Sequence, residues 1–183
     1  MNRILNVVAA LLLGTGLAGA STPGVSAPQS DSEISKRVLH EIRMYPHYTL
    51  WDNLAFSVNN GDVELSGQVT EPYKKSDIAR IVEKVPSVTS VSNDIEVLPL
   101  SPNDNRLRVQ IARAIFRDPV LSRYAMGAIP SIHIIVDNGH VTLEGVVQNE
   151  MDKNIAGVRA SSAGLSFGAI TNNLQVEHPA NKS

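Results

Sequence analysis

Apolar positions along the chain follow two alternating rhythms. Ile34, Val38, Leu39 and Ile42 recur at helical spacing, and so do Leu107, Ile111, Ala114 and Ile115. Leu54, Phe56 and Val58 alternate with polar residues, and Ile132, Ile134 and Val136 repeat that pattern, so each set predicts a strand. Asn60-Gly61 and Asn138-Gly139 follow directly, and an Asn-Gly pair favours a tight hairpin because both turn positions want φ > 0. Val63 and Leu65, like Val141 and Leu143, then predict the returning strand. Gly67 and Gly145 sit inside that strand pattern, where glycine marks a bulge or a close backbone approach. A second helix is expected over about 72–85 and 149–162, and a last strand over about 91–97 and 170–176. Ser32 and Asn105 are the expected N-caps of the first helices, and Pro46 and Pro119 stop them.

The matched blocks keep the same order in both halves. Asn60-Gly61-Asp62-Val63-Glu64-Leu65-Ser66-Gly67 aligns with Asn138-Gly139-His140-Val141-Thr142-Leu143-Glu144-Gly145, and Asn93-Asp94-Ile95-Glu96-Val97 aligns with Asn172-Asn173-Leu174-Gln175-Val176. Internal duplication explains this, and two copies are too few for a solenoid. The expected organisation is two domains, 33–98 and 104–177, joined by the Pro-containing linker 99–103. Each copy is α-β-β-α-β. The fold class is α+β, with each three-stranded mixed sheet covered on one face by two helices.

Composition narrows the chemistry. The chain has 183 residues, 43% of them hydrophobic, and a formal net charge of −2. That apolar share supports packed cores, and the charge balance argues against nucleic-acid binding by the whole protein. The absence of cysteine excludes disulfides, thiolate chemistry and cysteine-held metals. At the N-terminus, Arg3 precedes an apolar run from Ile4 to Leu13 and the small residues Ala18-Gly19-Ala20. This pattern predicts a secretory signal peptide over 1–20, cut after Ala20, and a periplasmic protein. A retained anchor is the alternative, although the apolar run is about half the roughly 20 residues of a spanning helix. Residues 21–32 are rich in Ser, Pro, Gly and Ala and predict a flexible leader, and 178–183 form a short tail.

The αββαβ order, the Asn-Gly turn, the Val-x-Leu-x-Gly strand and the closing Asn-x-(Leu/Ile)-x-Val resemble the BON domain, in both copies. A signal peptide before two such copies is similar to the periplasmic osmotically inducible proteins of that family. The resemblance implies a non-catalytic envelope module that associates with phospholipid surfaces, and it supplies no catalytic residue. The chain departs from the family pattern at Ser87, where a glycine is usual, in the longer stretch Gly164–Gly168, and in an aromatic run in the first loop of copy one.

Candidate chemistry is sparse. There is no nucleophile motif or phosphate-binding loop, and nothing sets Glu64 and Glu144 at a working distance. His40, His47, His133, His140 and His178 lack chelating spacing and read as solvated loop residues, so no metal or other cofactor is expected. Gly61, Gly67, Gly139 and Gly145 read as structural turn and bulge positions. Of the aromatic run Tyr45, Tyr48 and Trp51, the last two read as a plug at the end of a small core, with a membrane-boundary role of the run as the alternative. Charge differs most between the copies. The first helix of copy one balances Lys36, Arg37 and Arg43 with Asp31, Glu33 and Glu41. The matching region of copy two carries Arg106, Arg108, Arg113, Arg117 and Arg123 against Asp118. At 100° per residue, Arg106, Arg113 and Arg117 fall within about 40° of one another, with Phe116 and Val109 flanking them. A one-sign stripe beside apolar residues suits an anionic lipid surface. With the family resemblance, which implies the envelope and osmotic-stress role, the expected function is non-enzymatic, peripheral association with anionic phospholipid that supports envelope integrity under osmotic or other stress. The alternative is an adaptor that docks a protein partner in a larger envelope or secretion assembly.

Overall fold

In the computed structural model, residues 30–127, 129–163 and 170–177 are described. The signal segment, residues 21–29 of the expected leader, the Gly164–Gly168 stretch, His178 and the tail lie outside them, whereas residues 30–32, expected in the flexible leader, form the cap and first turn of a helix. The first module consists of α1 (Asp31–Met44), β1 (Asn53–Asn59), β2 (Asp62–Val69), α2 (Pro72–Val82) and β3 (Ser90–Val97). The second consists of α3 (Pro102–Phe116), a 3-10 turn (Ser122–Ala125), β4 (Ile132–Asp137), β5 (His140–Val147), α4 (Glu150–Ser162), and the short strands β6 (Thr171–Asn172) and β7 (Gln175–Val176). Each is an α+β module with a mixed sheet. β2 is central, antiparallel to β1 and parallel to β3, and β5 takes the same place between β4 and the β6–β7 pair.

The first helices start earlier than Ser32 and Asn105 suggest. Ser30 caps α1 in a capping box with Glu33, and the Ser101 hydroxyl caps α3 by accepting from the Asp104 amide at 3.2 Å. Pro102, expected in the linker, opens α3, because its missing N–H falls where a helix has no internal acceptor. An earlier start frees a first-turn carboxylate in each module. Asp31 accepts from the amides of Asn60 and Gly61 at 2.8 and 3.0 Å, and Asp104 from those of Asn138 and Gly139 at 3.0 and 2.9 Å. The hairpin is thus tied to its own helix.

α2 ends at Val82, short of the expected 85, because Pro86 disfavours helical geometry in the residue before it. The expected strand 170–176 is divided. Asn172 and Gln175 flank a step at which the Asn173 amide donates to the Leu143 carbonyl at 2.9 Å while Leu174 turns into the core. Two cores result. Ile34, Val38, Ile42, Leu65, Ile78 and Ile95 centre the first. Ile111, Ile115, Ile134, Leu143, Ala156 and Leu174 centre the second.

The modules meet through the loop after α1. The Ile134 amide in β4 donates to the Leu50 carbonyl at 2.8 Å, and Leu50 and Trp51 pack against the core of the second module. Trp51 of the aromatic run therefore plugs the neighbouring core, not its own. Tyr45 and Tyr48 remain with the first core.

Candidate functional site

The helix α3 buries Leu107, Ile111 and Ile115 and presents Arg106, Arg113 and Arg117 to solvent on its opposite face. Among the described residues, none of these three has a carboxylate within ion-pair distance. Three other arginines of this half are committed. Arg108, counted with the basic surface from sequence, is buried, and its guanidinium donates to the Val136 carbonyl and to Asn105 Oδ1, both at 2.6 Å. Burial pulls its pKa down from the usual arginine value. Helical spacing placed Arg108 among charged neighbours, but it lies one position after Leu107 and so points at β4. Arg123 pairs with Asp152, and Arg159 pairs with Asp118 at 2.8 Å. Phe116 is half-buried against the second core, so it does not flank the stripe as an exposed ring, whereas Val109 is 40% exposed.

Each module also holds an ion pair with a buried carboxylate where the loop after its first helix meets its second helix. In the first, Lys74 Nζ donates to Asp52 at 2.7 Å, and Asp52 also accepts from Thr49 and Thr70. Burial alone would raise the Asp52 carboxyl, but the Lys74 ammonium and the threonine donors outweigh it and hold it below the usual range. In the second, Asp152 occupies the position of Lys74 and takes Arg123 and the Tyr124 hydroxyl as partners. The polarity is swapped between the copies.

His133 does not sit in a solvated loop. It is a buried β4 residue whose Nδ1 donates to the Asp52 carbonyl at 2.6 Å, with its ring 5.5 Å from that of Tyr48. Because a carbonyl can only accept, Nδ1 carries the proton. Burial holds the pKa of His133 below the usual 6.5, and burial also pushes the Tyr48 hydroxyl up to about 12. His40 lies in α1 and His140 opens β5, so these too are outside loops. Among the described residues no cluster of His, Asp or Glu could hold a metal ion. Glu64 and Glu144 lie on separate sheets, the latter accepting from Asn173 Nδ2 at 2.8 Å. Among the described residues no helix is long and apolar enough to cross a membrane.

The four glycines take positive φ: +83° and +80° at Gly61 and Gly139, and +112° at both Gly67 and Gly145. The β1–β2 register runs through Gly67 without a bulge, and the β4–β5 register ends with Gly145 opposite Ile132. A Cβ at Gly67 would lie 2.1 Å from the Asn53 carbonyl oxygen, and one at Gly145 would lie 2.1 Å from that of Ser131. Of the two roles open to a strand glycine, the geometry is close approach.

A family comparison matches the BON domain at residues 30–99 and again at 103–178. The chain belongs to the BON-domain family. Both BON modules carry the paired Asp-to-hairpin clamp, and in both an asparagine on the third strand, Asn93 or Asn172, reaches a second-helix carbonyl at 2.9 or 2.8 Å. In the first BON module Ser87 has φ +69°, the conformation that glycine supplies without strain. Comparison with curated proteins yields no match. Among solved structures, the chain is similar to the C-terminal domain of CdsD, the structural protein of the Type III secretion system of Chlamydia trachomatis. That likeness has 16% identity and a TM-score of 0.32, and it covers 81% of this chain and 67% of that one. A second structure of CdsD is similar at 16% identity and a TM-score of 0.27, covering 81% and 94%. At these scores neither likeness bears on function.

Proposed function

We propose that this is a non-catalytic binding protein of the cell envelope, exported to the periplasm, that rests on anionic phospholipid through the outer face of α3. One observation carries the reading. Arg106, Arg113 and Arg117 are exposed together, without acidic partners among the described residues, while Arg108, Arg123 and Arg159 are committed to internal contacts. Arginines that fold stability does not engage are available to phosphate oxygens. Each contributes on the order of 1 kcal/mol near an anionic surface.

Replacing all three by Glu leaves the fold intact, since exposed charges contribute little to it. It removes about 3 kcal/mol or more of attraction to the bilayer. Co-sedimentation with phosphatidylglycerol vesicles, with neutral vesicles as control, reads this out. Lys36→Glu with Arg37→Glu in the first module has a much smaller effect, because acidic neighbours share that helix. Salt weakens binding by the parent protein, screening it over about 8–10 Å. Undiminished binding by the triple variant, or no preference of the parent for anionic vesicles, sinks this reading and favours a protein partner. Export is tested by N-terminal sequencing of the mature protein, which is expected to begin at Ser21.

A further inference from the structure

The second helix of each module offers an internal control, because the same fold position is filled differently in the two copies. In α4, Met151 is 70% exposed, Val158 is 65% exposed and Ile155 is half-buried between them. At 100° per residue the three fall within about 60° of one another, away from Asp152, Ala156 and Ala160, which face the core. The matching positions of α2 are Tyr73, Asp77 and Arg80, and there Arg80 and Asp77 form an ion pair at 3.2 Å. The fold therefore accepts charge at the positions of Ile155 and Val158. Ile155 packs in part against the core, but the apolar character of Val158, 65% exposed, serves something other than folding.

The ridge adjoins the cationic face. Arg159 lines one hollow with Met151, Asn154, Ile155 and Val158, and a neighbouring hollow with Arg117, Asp118 and Ala114. Arginines on one helix and solvent-facing aliphatic side chains on the next make a surface that is cationic beside apolar. That complementarity fits one occupant, a bilayer with anionic headgroups, in which charge meets phosphate and the side chains pass below it.

We infer that Met151, Ile155 and Val158 of α4 form an apolar wedge that enters the acyl boundary of an anionic bilayer held by the arginines of α3. This inference rests on the lipid reading of α3 and adds a salt-insensitive contact to it, since apolar burial is not screened by ions. The second module is then the inserting one, and the first remains above the surface at the corresponding helix.

The native chain has no cysteine, so a single one can carry a polarity-sensitive dye. The full chain with Val158→Cys is labelled and compared with Arg80→Cys, on phosphatidylglycerol vesicles with and without brominated acyl chains. The dye at 158 shifts to the blue and is quenched by bromine, and the dye at 80 does neither. Unlabelled Met151→Ser/Val158→Ser retains binding at low salt but loses the fraction that survives high salt, by roughly tenfold. Its thermal unfolding matches the parent, because both side chains are exposed. If the parent binds in a salt-dependent, arginine-dependent way while the dye at 158 stays aqueous, the wedge is wrong and the lipid reading of α3 stands. If the double variant keeps the parent's salt-resistant binding, the wedge is also wrong. If the parent ignores anionic vesicles altogether, both fall.

Discussion

Gly67 and Gly145 meet the same physical requirement in two separate sheets. Each takes a φ of +112° and lies against a neighbouring carbonyl that leaves no room for a Cβ. A branched side chain there adds backbone strain and a clash to whatever packing it gains. Gly67→Val and Gly145→Val are each expected to destabilise their own module by about 1–3 kcal/mol, measured by chemical or thermal unfolding. These glycines were legible in sequence because they recur inside an alternating pattern. The clamp residues Asp31 and Asp104 were not, since a first-turn acid reads equally well as a favourable charge at the helix N-terminus. His133 was illegible for another reason: its partner, the carbonyl of Asp52, is 81 positions away and belongs to the backbone.

At the level of elements, the helices and strands followed from periodicity, and their ends followed from chemistry that periodicity does not weigh. Pro102 is one case, placed in the linker by sequence and found opening α3. The buried pair Asp52–Lys74 is another, because a lysine on the second helix looks like solvated surface until the loop carboxylate closes on it. Lys74→Met leaves the Asp52 charge buried without its cation and is expected to cost about 3–5 kcal/mol, read by urea unfolding near neutral pH. The sign of its pH dependence follows from the direction of the shift. The folded Asp52 carboxyl titrates below its ordinary 3.8, so the pair contributes fully above that value and is lost as pH falls through the folded pKa. In acid the gap between the parent and the Lys74→Met variant therefore narrows.

Over the whole molecule, the two modules form a joined body, and the join rests on the loop 48–52. Trp51 is half-buried against a core it does not belong to by sequence. Trp51→Ala is expected to weaken the junction by about 1–3 kcal/mol. Calorimetry would show one unfolding transition in the parent separating into two in the variant, and an unchanged single transition would contradict this. No periodic signal announces such a contact, so the aromatic run pointed to a plug without saying which core it fills. A chain that writes one fold twice also has a sorting problem while it folds, because either second helix has the general shape to lie on either sheet, and misassembly between neighbouring copies is a characteristic failure of tandem domains. The swapped polarity of the two ion pairs bears directly on it. Were α4 to settle in the first module, Asp152 would face Asp52. Were α2 to settle in the second, Lys74 would face Arg123. Both mistaken unions bring like charges together, the two carboxylates out of water, and only the correct pairing neutralises them, so the two copies carry in these pairs a means of telling self from sibling.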